Sequence, residues 1–131
     1  MKPVITVGKR KKSVARAVMK EGKGIVRVNK KLLENVTPEM ARLKIEEPLI
    51  LSGDMAKKYD ISINVFGGGM VSQADAARLA IAKALLSANS KLKQEFLDYD
   101  RTLLVADVRQ RESRKPNTHG NARGKVQKSY R

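Results

Sequence analysis

The sequence contains no cysteine and no tryptophan, and only three Tyr and two Phe occur among its 131 residues. Without cysteine, the chain has no disulfide framework, no thiolate zinc site and no cysteine nucleophile. Because aromatic side chains are scarce, the core must be built from Val, Ile, Leu, Ala and Met. At this length we expect one domain with an aliphatic core and small, closely packed helices.

Groups that carry enzyme chemistry are also scarce. His119 is the sole histidine, and no fixed carboxylate, second histidine or cysteine is near it in sequence to orient it or to complete a metal shell. The 13 acidic residues are spread along the chain, and no acid pair stands out from ordinary surface charges. We therefore predict a protein that is not an enzyme and has neither a cofactor nor a small-molecule substrate.

Long apolar segments are missing as well. No segment approaches the roughly 20 apolar residues of a membrane span, and residues 1–12 include no apolar stretch of signal-peptide length. We expect a soluble, cytoplasmic protein that is not exported and has no membrane partner.

Positive charge, in contrast, is abundant and unevenly placed. The net charge is +15, from 28 Lys and Arg against 13 Asp and Glu. Residues 1–20 hold seven cations and no anion, and residues 109–131 hold eight cations and one anion, whereas the part between is nearly balanced. This distribution predicts a globular domain over 1–108, an extended basic tail over 109–131 and a polyanionic partner. With three apolar side chains, the tail should be disordered when the protein is alone.

Alternating and short apolar runs predict the strands. The first thirty residues read as antiparallel strands with tight connections, one of them a glycine-bearing turn at 21–24. Farther on, Ile61, Ile63 and Val65 alternate with Ser62, Asn64 and Phe66, as in a half-buried strand. We predict strands at 4–7, 13–20, 25–29, 60–66 and 103–108.

Capping residues and helical periodicity predict the helices. Thr37 as N-cap, followed by Pro38 at the first helical position, should begin one helix. Pro48 should divide that region into two short helices, the second of which ends at Ser52–Gly53. The strongest helix covers 72–89, where Ser72 and Asp75 have the spacing of a capping box and alanines permit close packing on a sheet. A shorter helical piece covers 91–96.

Three glycines, Gly67, Gly68 and Gly69, stand between a strand and the strongest helix. Enzymes that bind nucleotides hold phosphates with this order of elements. However, no Lys-Ser or Lys-Thr pair follows the glycines, and no acidic residue lies about 20 positions on. The glycines could serve a tight turn with close packing, RNA phosphate binding at the helix N-terminus or, least favoured, a catalytic nucleotide site.

The basic ends supply the candidate RNA-binding residues. A single charged run is usually a solvated face, but two strongly basic ends beside a balanced body favour phosphate binding. A hairpin between two strands would present the first group, and Lys20 could extend it along the strand: Lys9, Arg10, Lys11, Lys12 and Arg16. In the tail, Gly, Asn, Thr and Ser separate cations that could follow phosphates: Arg109, Arg111, Arg114, Lys115, Arg123, Lys125, Lys128 and Arg131.

Three stretches of the sequence resemble one known family. "GGGMVSQADAARLAIAKAL" fits the signature of the small-subunit ribosomal protein S9 family, with three glycines, a small residue followed by Gln, and small residues at fixed offsets. "VGKRKKSVARAVMKEGKGIVRVN" resembles the family's N-terminal strands, and "QKSYR" resembles the C-terminus of its archaeal and eukaryotic members. The resemblance covers essentially the whole chain.

This resemblance implies a fold and a set of partners. Members of the family have an α/β sandwich, an α+β arrangement of helices against a mixed sheet, with a left-handed βαβ crossover. They bind ribosomal RNA in the head of the small subunit beside neighbouring ribosomal proteins, and their tail approaches the P-site tRNA. Carried onto this chain, the residues that would contact tRNA are those of the tail tip: Lys128, Ser129, Tyr130 and Arg131.

We therefore predict a structural protein of an archaeal-type small ribosomal subunit, which contacts RNA mainly through phosphates. Two alternatives are a chromatin-like protein that compacts DNA, which net charge alone would allow, and an enzyme of the GHMP kinase fold, with which the family that this sequence resembles shares its left-handed crossover. Tight binding to random DNA would support the first alternative, and ATP-dependent protection of the glycine loop would support the second.

Overall fold

A computed structural model describes residues 2–36, 38–116 and 122 of the chain. The strands are β1 Val4–Arg10, β2 Ser13–Glu21, β3 Val26–Val28, β4 Lys31–Leu32 and β5 Tyr59–Phe66, and the helices are α1 Glu39–Ser52, α2 Met70–Ala88 and α3 Leu92–Tyr99. The strands form a mixed sheet in the order β1-β2-β5-β3-β4, with α2 against the sheet and α1 and α3 against α2. This arrangement confirms the expected α+β fold class.

Strands β1 and β2 form the predicted antiparallel hairpin, with Arg10 opposite Ser13. The turn is shorter than expected, because only Lys11 and Lys12 lie between the strands. Within it, Lys11 has a φ of 54°. Lys9 and Arg10 therefore belong to β1 itself. Alternation along the strand then places their side chains on opposite faces of the sheet.

Strand β3 corrects the expectation that the first thirty residues form only antiparallel pairs. It lies parallel to β5, with Val26 opposite Ile61, and it makes no pairing with β2. The connection from β3 to β5 passes through α1 and is a βαβ crossover, whose hand stays a prediction. After β3, the Asn29 side chain accepts a hydrogen bond from the Val65 amide at 2.8 Å and donates one to the Val65 carbonyl at 3.2 Å. These two bonds join the end of β3 to β5.

Helix α1 is continuous, so the predicted split at Pro48 is wrong. Pro48 lies inside the helix and is buried with Ala41 and Ile45. Burial of this apolar face offsets the cost of a proline in a helix interior, which is about 3 kcal/mol. The predicted end is confirmed, because Gly53 follows the helix with a φ of 63°. Pro38 is the N-cap and Glu39 the first helical residue, so the prediction of Pro38 at the first helical position after a Thr37 N-cap is wrong, and Thr37 itself lies outside the described residues.

Helix α2 begins at Met70, two residues earlier than predicted, and Gly69 rather than Ser72 is its N-cap. The Ser72 and Asp75 capping box is therefore wrong. The expected close packing on the sheet is confirmed at Gly8 of β1, where an added Cβ would lie 2.1 Å from the Ala76 carbonyl oxygen. A side chain at this position would push the helix off the sheet.

The segment after α3 corrects a further prediction. Arg101–Leu103 form a single 3-10 turn, and residues 104–116 contain no strand. Leu103 is fully buried, but Val105 and Val108 are exposed, so the apolar pattern does not face the core. Ala122 is buried. The remainder of the predicted tail, 117–121 and 123–131, is outside the described residues, and its disorder stays a prediction.

The helices cover one face of the sheet and leave the other exposed. In β5, Ile61, Ile63 and Val65 are buried toward the helices, as predicted, whereas Ser62, Asn64 and Phe66 are exposed. We call the uncovered side of β1, β2 and β5 the open face. Its side chains are Ile5, Val7, Lys9, Val14, Arg16, Val18, Lys20, Asp60, Ser62, Asn64 and Phe66.

Candidate nucleic-acid interface

The glycine loop between β5 and α2 packs tightly against the β1–β2 hairpin. Gly67 and Gly68 have φ values of 78° and 61°, which favour glycine. A Cβ at Gly67 would lie 2.4 Å from the Lys12 carbonyl oxygen, and one at Gly68 would lie 2.1 Å from the Ser13 hydroxyl. The turn-and-packing interpretation therefore accounts for these two glycines. It also explains why the loop holds Lys12 close to the start of α2.

Gly69 has a different environment. A Cβ added there would meet nothing within 4 Å, so neither packing nor a positive φ requires glycine at this position. The residue is the N-cap of a 19-residue helix that has no side-chain cap and no acidic residue in its first turn. The Gln73 amide bonds back to the Gly69 carbonyl, which leaves the earlier amides of the helix without intrahelical partners. Those amides and the helix dipole favour an anion at this end.

Four cations surround this helix end. Lys11 and Lys12 come from the hairpin turn, and Arg109 and Arg111 come from the start of the predicted tail. With Gly68, Gly69, Ser72 and Gln110 they line an open cleft of about 550 Å³. We call this site the cationic cleft. Groups from three separate parts of the sequence thus meet where a helix already favours negative charge.

Arg10 belongs to a different environment from its neighbours Lys11 and Lys12. Its side chain is 15% exposed and forms ion pairs with Asp107 at 3.4 Å and Asp75 at 3.9 Å. Its guanidinium also donates a hydrogen bond to the Arg109 carbonyl at 3.3 Å. These contacts attach the start of the tail to β1 and α2. In the described structure, Arg10 therefore binds protein groups, and its predicted role in RNA binding stays a prediction.

Asp107 and Arg109 form the link between this anchor and the cationic cleft. The Arg109 guanidinium donates to both oxygens of Asp107, with an Nη2–Oδ2 distance of 2.6 Å. Hydrogen bonds from the Arg109 side chain and backbone hold the pKa of Asp107 far below its ordinary value, and the Arg10 charge adds to the effect. Asp107 in turn raises the pKa of Arg109. The charge of Arg109 is therefore partly compensated before any ligand binds.

Arg10 also belongs to a second group of charges, which lies between α1, α2 and the 3-10 turn. Arg78 is 11% exposed, pairs with Glu47 and with Asp100, and donates to the Thr102 hydroxyl at 3.2 Å. Desolvation alone would raise the pKa of Asp100, but hydrogen bonds from Thr102 and Arg78 together outweigh it and lower that pKa. We call this group the balanced cluster, which consists of Arg10, Lys44, Arg78, Glu47, Asp75, Asp100 and Asp107.

The balanced cluster encloses a cavity of about 290 Å³ that superficially resembles an active site. Its charged groups are largely salt-bridged, however, and the cavity lining contains no histidine, serine or cysteine, while its one hydroxyl, that of Thr102, accepts a hydrogen bond from Arg78. Within residues 2–36, 38–116 and 122, no group of His, Cys, Asp or Glu side chains could hold a metal ion. The chemistry of the cluster is that of structural ion pairs.

The other predicted RNA-binding residues are dispersed. Lys9 and Arg16 lie on the open face, with Lys20 farther along the same strand as Arg16, and Arg114 is exposed. Lys115 pairs with Glu112 at 2.6 Å. The remaining candidates fall outside the described residues: Arg123, Lys125, Lys128, Ser129, Tyr130 and Arg131.

Candidates chosen by charge did not include Phe66, an exposed aromatic residue at the end of β5, directly before the glycine loop. The alternation in β5 already assigned it to the polar side of that strand, and an exposed aromatic side chain there was the available signal.

Comparisons with known proteins agree along the whole chain. The sequence pattern of the family described as ribosomal protein S9/S16 matches residues 8–131. The chain is 50% identical over 134 aligned residues to the small ribosomal subunit protein uS9 of Methanococcus maripaludis strain C7, with 100% of both chains covered. It is 48% identical over 134 residues to the protein of the same name from Methanococcus vannielii, again with 100% coverage of both. Within the described part of the chain, no helix has the length and apolar character needed to cross a membrane.

Proposed function

Because the chain belongs to the ribosomal protein S9/S16 family, we propose that it is a structural protein of the small ribosomal subunit and binds ribosomal RNA through the cationic cleft. Membership in this family confirms the prediction that the chain is not an enzyme. The similarity to two Methanococcus proteins also confirms an archaeal-type member. A ribosomal protein of this kind would work in the cytoplasm, beside neighbouring ribosomal proteins of the subunit head.

One observation carries the RNA-binding proposal, which is the convergence of cations on an uncapped helix end. Lys11 and Lys12 form no ion pair with any other described residue, and they lie beside a helix N-terminus without an acidic first turn. An RNA phosphate would accept hydrogen bonds from the first amides of α2 while the lysines compensate its charge. Such contacts position the protein on folded RNA without reading its base sequence.

The start of the tail extends this surface. Arg109 and Arg111 line the cleft, and Arg114 lies exposed a few residues farther on. We propose that the rest of the tail continues along RNA phosphates through Arg123 and Lys125. Its tip, Lys128 to Arg131, would contact the P-site tRNA, as the family resemblance implies. Tyr130 could stack on a base there, and the Arg131 guanidinium could bind a phosphate.

The cleft is tested by neutralising Lys11→Gln and Lys12→Gln together. The variant and the wild type are titrated with a small-subunit ribosomal RNA head fragment at several salt concentrations. Because each lost phosphate contact reduces the salt slope by about 0.7 to 0.9, we expect the logarithmic slope to fall by about 1.4 to 1.8.

A matched control distinguishes RNA binding at the cleft from general electrostatic attraction between the basic protein and RNA. Lys91→Gln together with Lys93→Gln removes the same charge from the exposed end of the molecule around α3, outside the cleft. This double variant should lose distinctly less of the salt slope. An equal loss in both double variants would contradict a specific cleft, and equally tight binding of the wild type to random duplex DNA would contradict ribosomal RNA as the partner.

A further inference from the structure

The two phenylalanines of the chain occupy opposite environments. Phe96 is fully buried in the core, whereas Phe66 is 62% exposed. Phe66 is the last residue of β5, it lies on the open face, and it immediately precedes the glycine loop. Burial in this protein's own core therefore does not explain an aromatic residue at this position.

The sheet register shows what surrounds Phe66. Directly opposite it in β2 is Val14, and opposite Val14 in β1 is Lys9. The next row on the open face consists of Asn64, Arg16 and Val7. Side chains that face each other across strands are about 5 Å apart, so the ring lies beside Val14, with Arg16 diagonally opposite and Lys9 one strand farther away. Neither row contains a carboxylate.

We propose that Phe66 is a stacking site for an unpaired RNA nucleobase on the strand whose phosphates bind the cationic cleft. This inference rests on the proposed function and names a base-binding subsite beside it. Phe66 and Gly69 are three residues apart and therefore within about 11 Å along the backbone. A single RNA strand that passes the end of β5 reaches both sites.

The charge of the surroundings favours a nucleobase over an apolar side chain of another protein. Lys9 and Arg16 attract the phosphates on either side of a stacked base, and the ring provides the planar apolar contact. Stacking is independent of base identity because every base has a planar face. Occupation by a protein partner would leave these cations next to the ring without a phosphate.

The test compares two single-stranded RNA probes of equal length and charge with the full-length protein. One probe is a twelve-nucleotide oligouridylate, and the other is the same ribose–phosphate chain without bases. We expect the wild type to bind the oligouridylate more tightly. Phe66→Leu should weaken oligouridylate binding about tenfold and leave the abasic probe unchanged, whereas Phe66→Tyr, which keeps the ring, should bind both probes as the wild type does.

The control is Ile50→Ala, which shortens a side chain of similar exposure, 72%, on α1 in the helix layer. It should change neither affinity, and thermal unfolding should show that both Phe66 variants remain folded. Unchanged oligouridylate binding by Phe66→Leu, or equal losses in the leucine and tyrosine variants, would overturn the stacking site.

The abasic probe separates this inference from the proposed function. Abasic binding that Lys11→Gln with Lys12→Gln weakens, together with a silent Phe66→Leu, would reject only the stacking site. Abasic binding that the lysine variant leaves unchanged would reject the cleft itself.

Discussion

The balanced cluster and the cationic cleft adjoin each other but differ in where their carboxylates lie. In the balanced cluster, each of Arg10, Lys44 and Arg78 has a carboxylate oxygen within 3.9 Å. In the cleft, Lys11 and Lys12 have no such partner among the described residues, whereas Arg109 forms an ion pair with Asp107. Cations of one sequence thus serve the fold in one place and are available to a ligand in the other. Placement of the few acids, rather than the number of cations, makes this difference.

The largest expected effect comes from neutralising the tail. Substituting glutamine for all eight tail cations should reduce the salt slope of RNA binding by up to about 5.6, since each phosphate contact contributes about 0.7 on single-stranded RNA. The measurement is a titration with the ribosomal RNA fragment at several salt concentrations. Thermal unfolding should change little. An unchanged salt slope would show that the tail does not bind phosphates.

Arg78→Met should affect stability and leave binding alone. It removes a nearly buried cation that faces Glu47 and Asp100, and the two carboxylates would then lack their partner. Because both carboxylates are partly exposed, we expect a loss of about 2 kcal/mol in the free energy of unfolding, measured with urea. Arg101→Met, which removes an exposed cation nearby, is the control and should cost much less. A large change in RNA affinity would contradict the division between cluster and cleft.

Asp107→Asn should have the smallest effect, with opposite signs in two assays. Loss of the carboxylate releases Arg109 toward the cleft, so the salt slope of RNA binding should steepen by up to about 0.9. Stability should fall, because Arg10 loses one of its two ion-pair partners.

The pH dependence of stability provides a second readout for Asp107. Its pKa is lowered in the folded state, so the carboxylate stabilises the fold at pH values above its unfolded value of about 4. That contribution is lost as the pH falls through the folded-state pKa. The free energy of unfolding, measured with urea from pH 7 downward, should therefore decrease less in Asp107→Asn than in the wild type. Identical pH profiles would contradict the assigned role.

Local patterns in the sequence predicted most of the fold. The alternation at 60–66 identified β5 and its buried side because neighbouring residues determine both. Pro48 misled the prediction of α1, since its cost in a helix is local but the burial that offsets it depends on distant residues. The final strand was predicted from apolar residues at 103–108, of which the fold buries Leu103 and exposes Val108.

The candidate site was harder to predict for a related reason. Arg10 has only cations beside it in sequence, and its partners Asp75 and Asp107 are far along the chain. Strand alternation held a partial signal, because it places Arg10 on the same buried side of β1 as Gly8. The sequence offered no comparable signal that Arg109 and Arg111 would join Lys11 and Lys12 at the glycine loop, because that meeting depends on tertiary packing.

A density map of the small ribosomal subunit that contains this protein would test the cationic cleft most directly. We expect a ribosomal RNA phosphate within hydrogen-bond distance of the Met70 to Ser72 amides, with Lys11 and Lys12 directed toward it. A cleft that faces solvent or another protein, with the nearest RNA elsewhere on the body, would show that the cleft does not bind RNA.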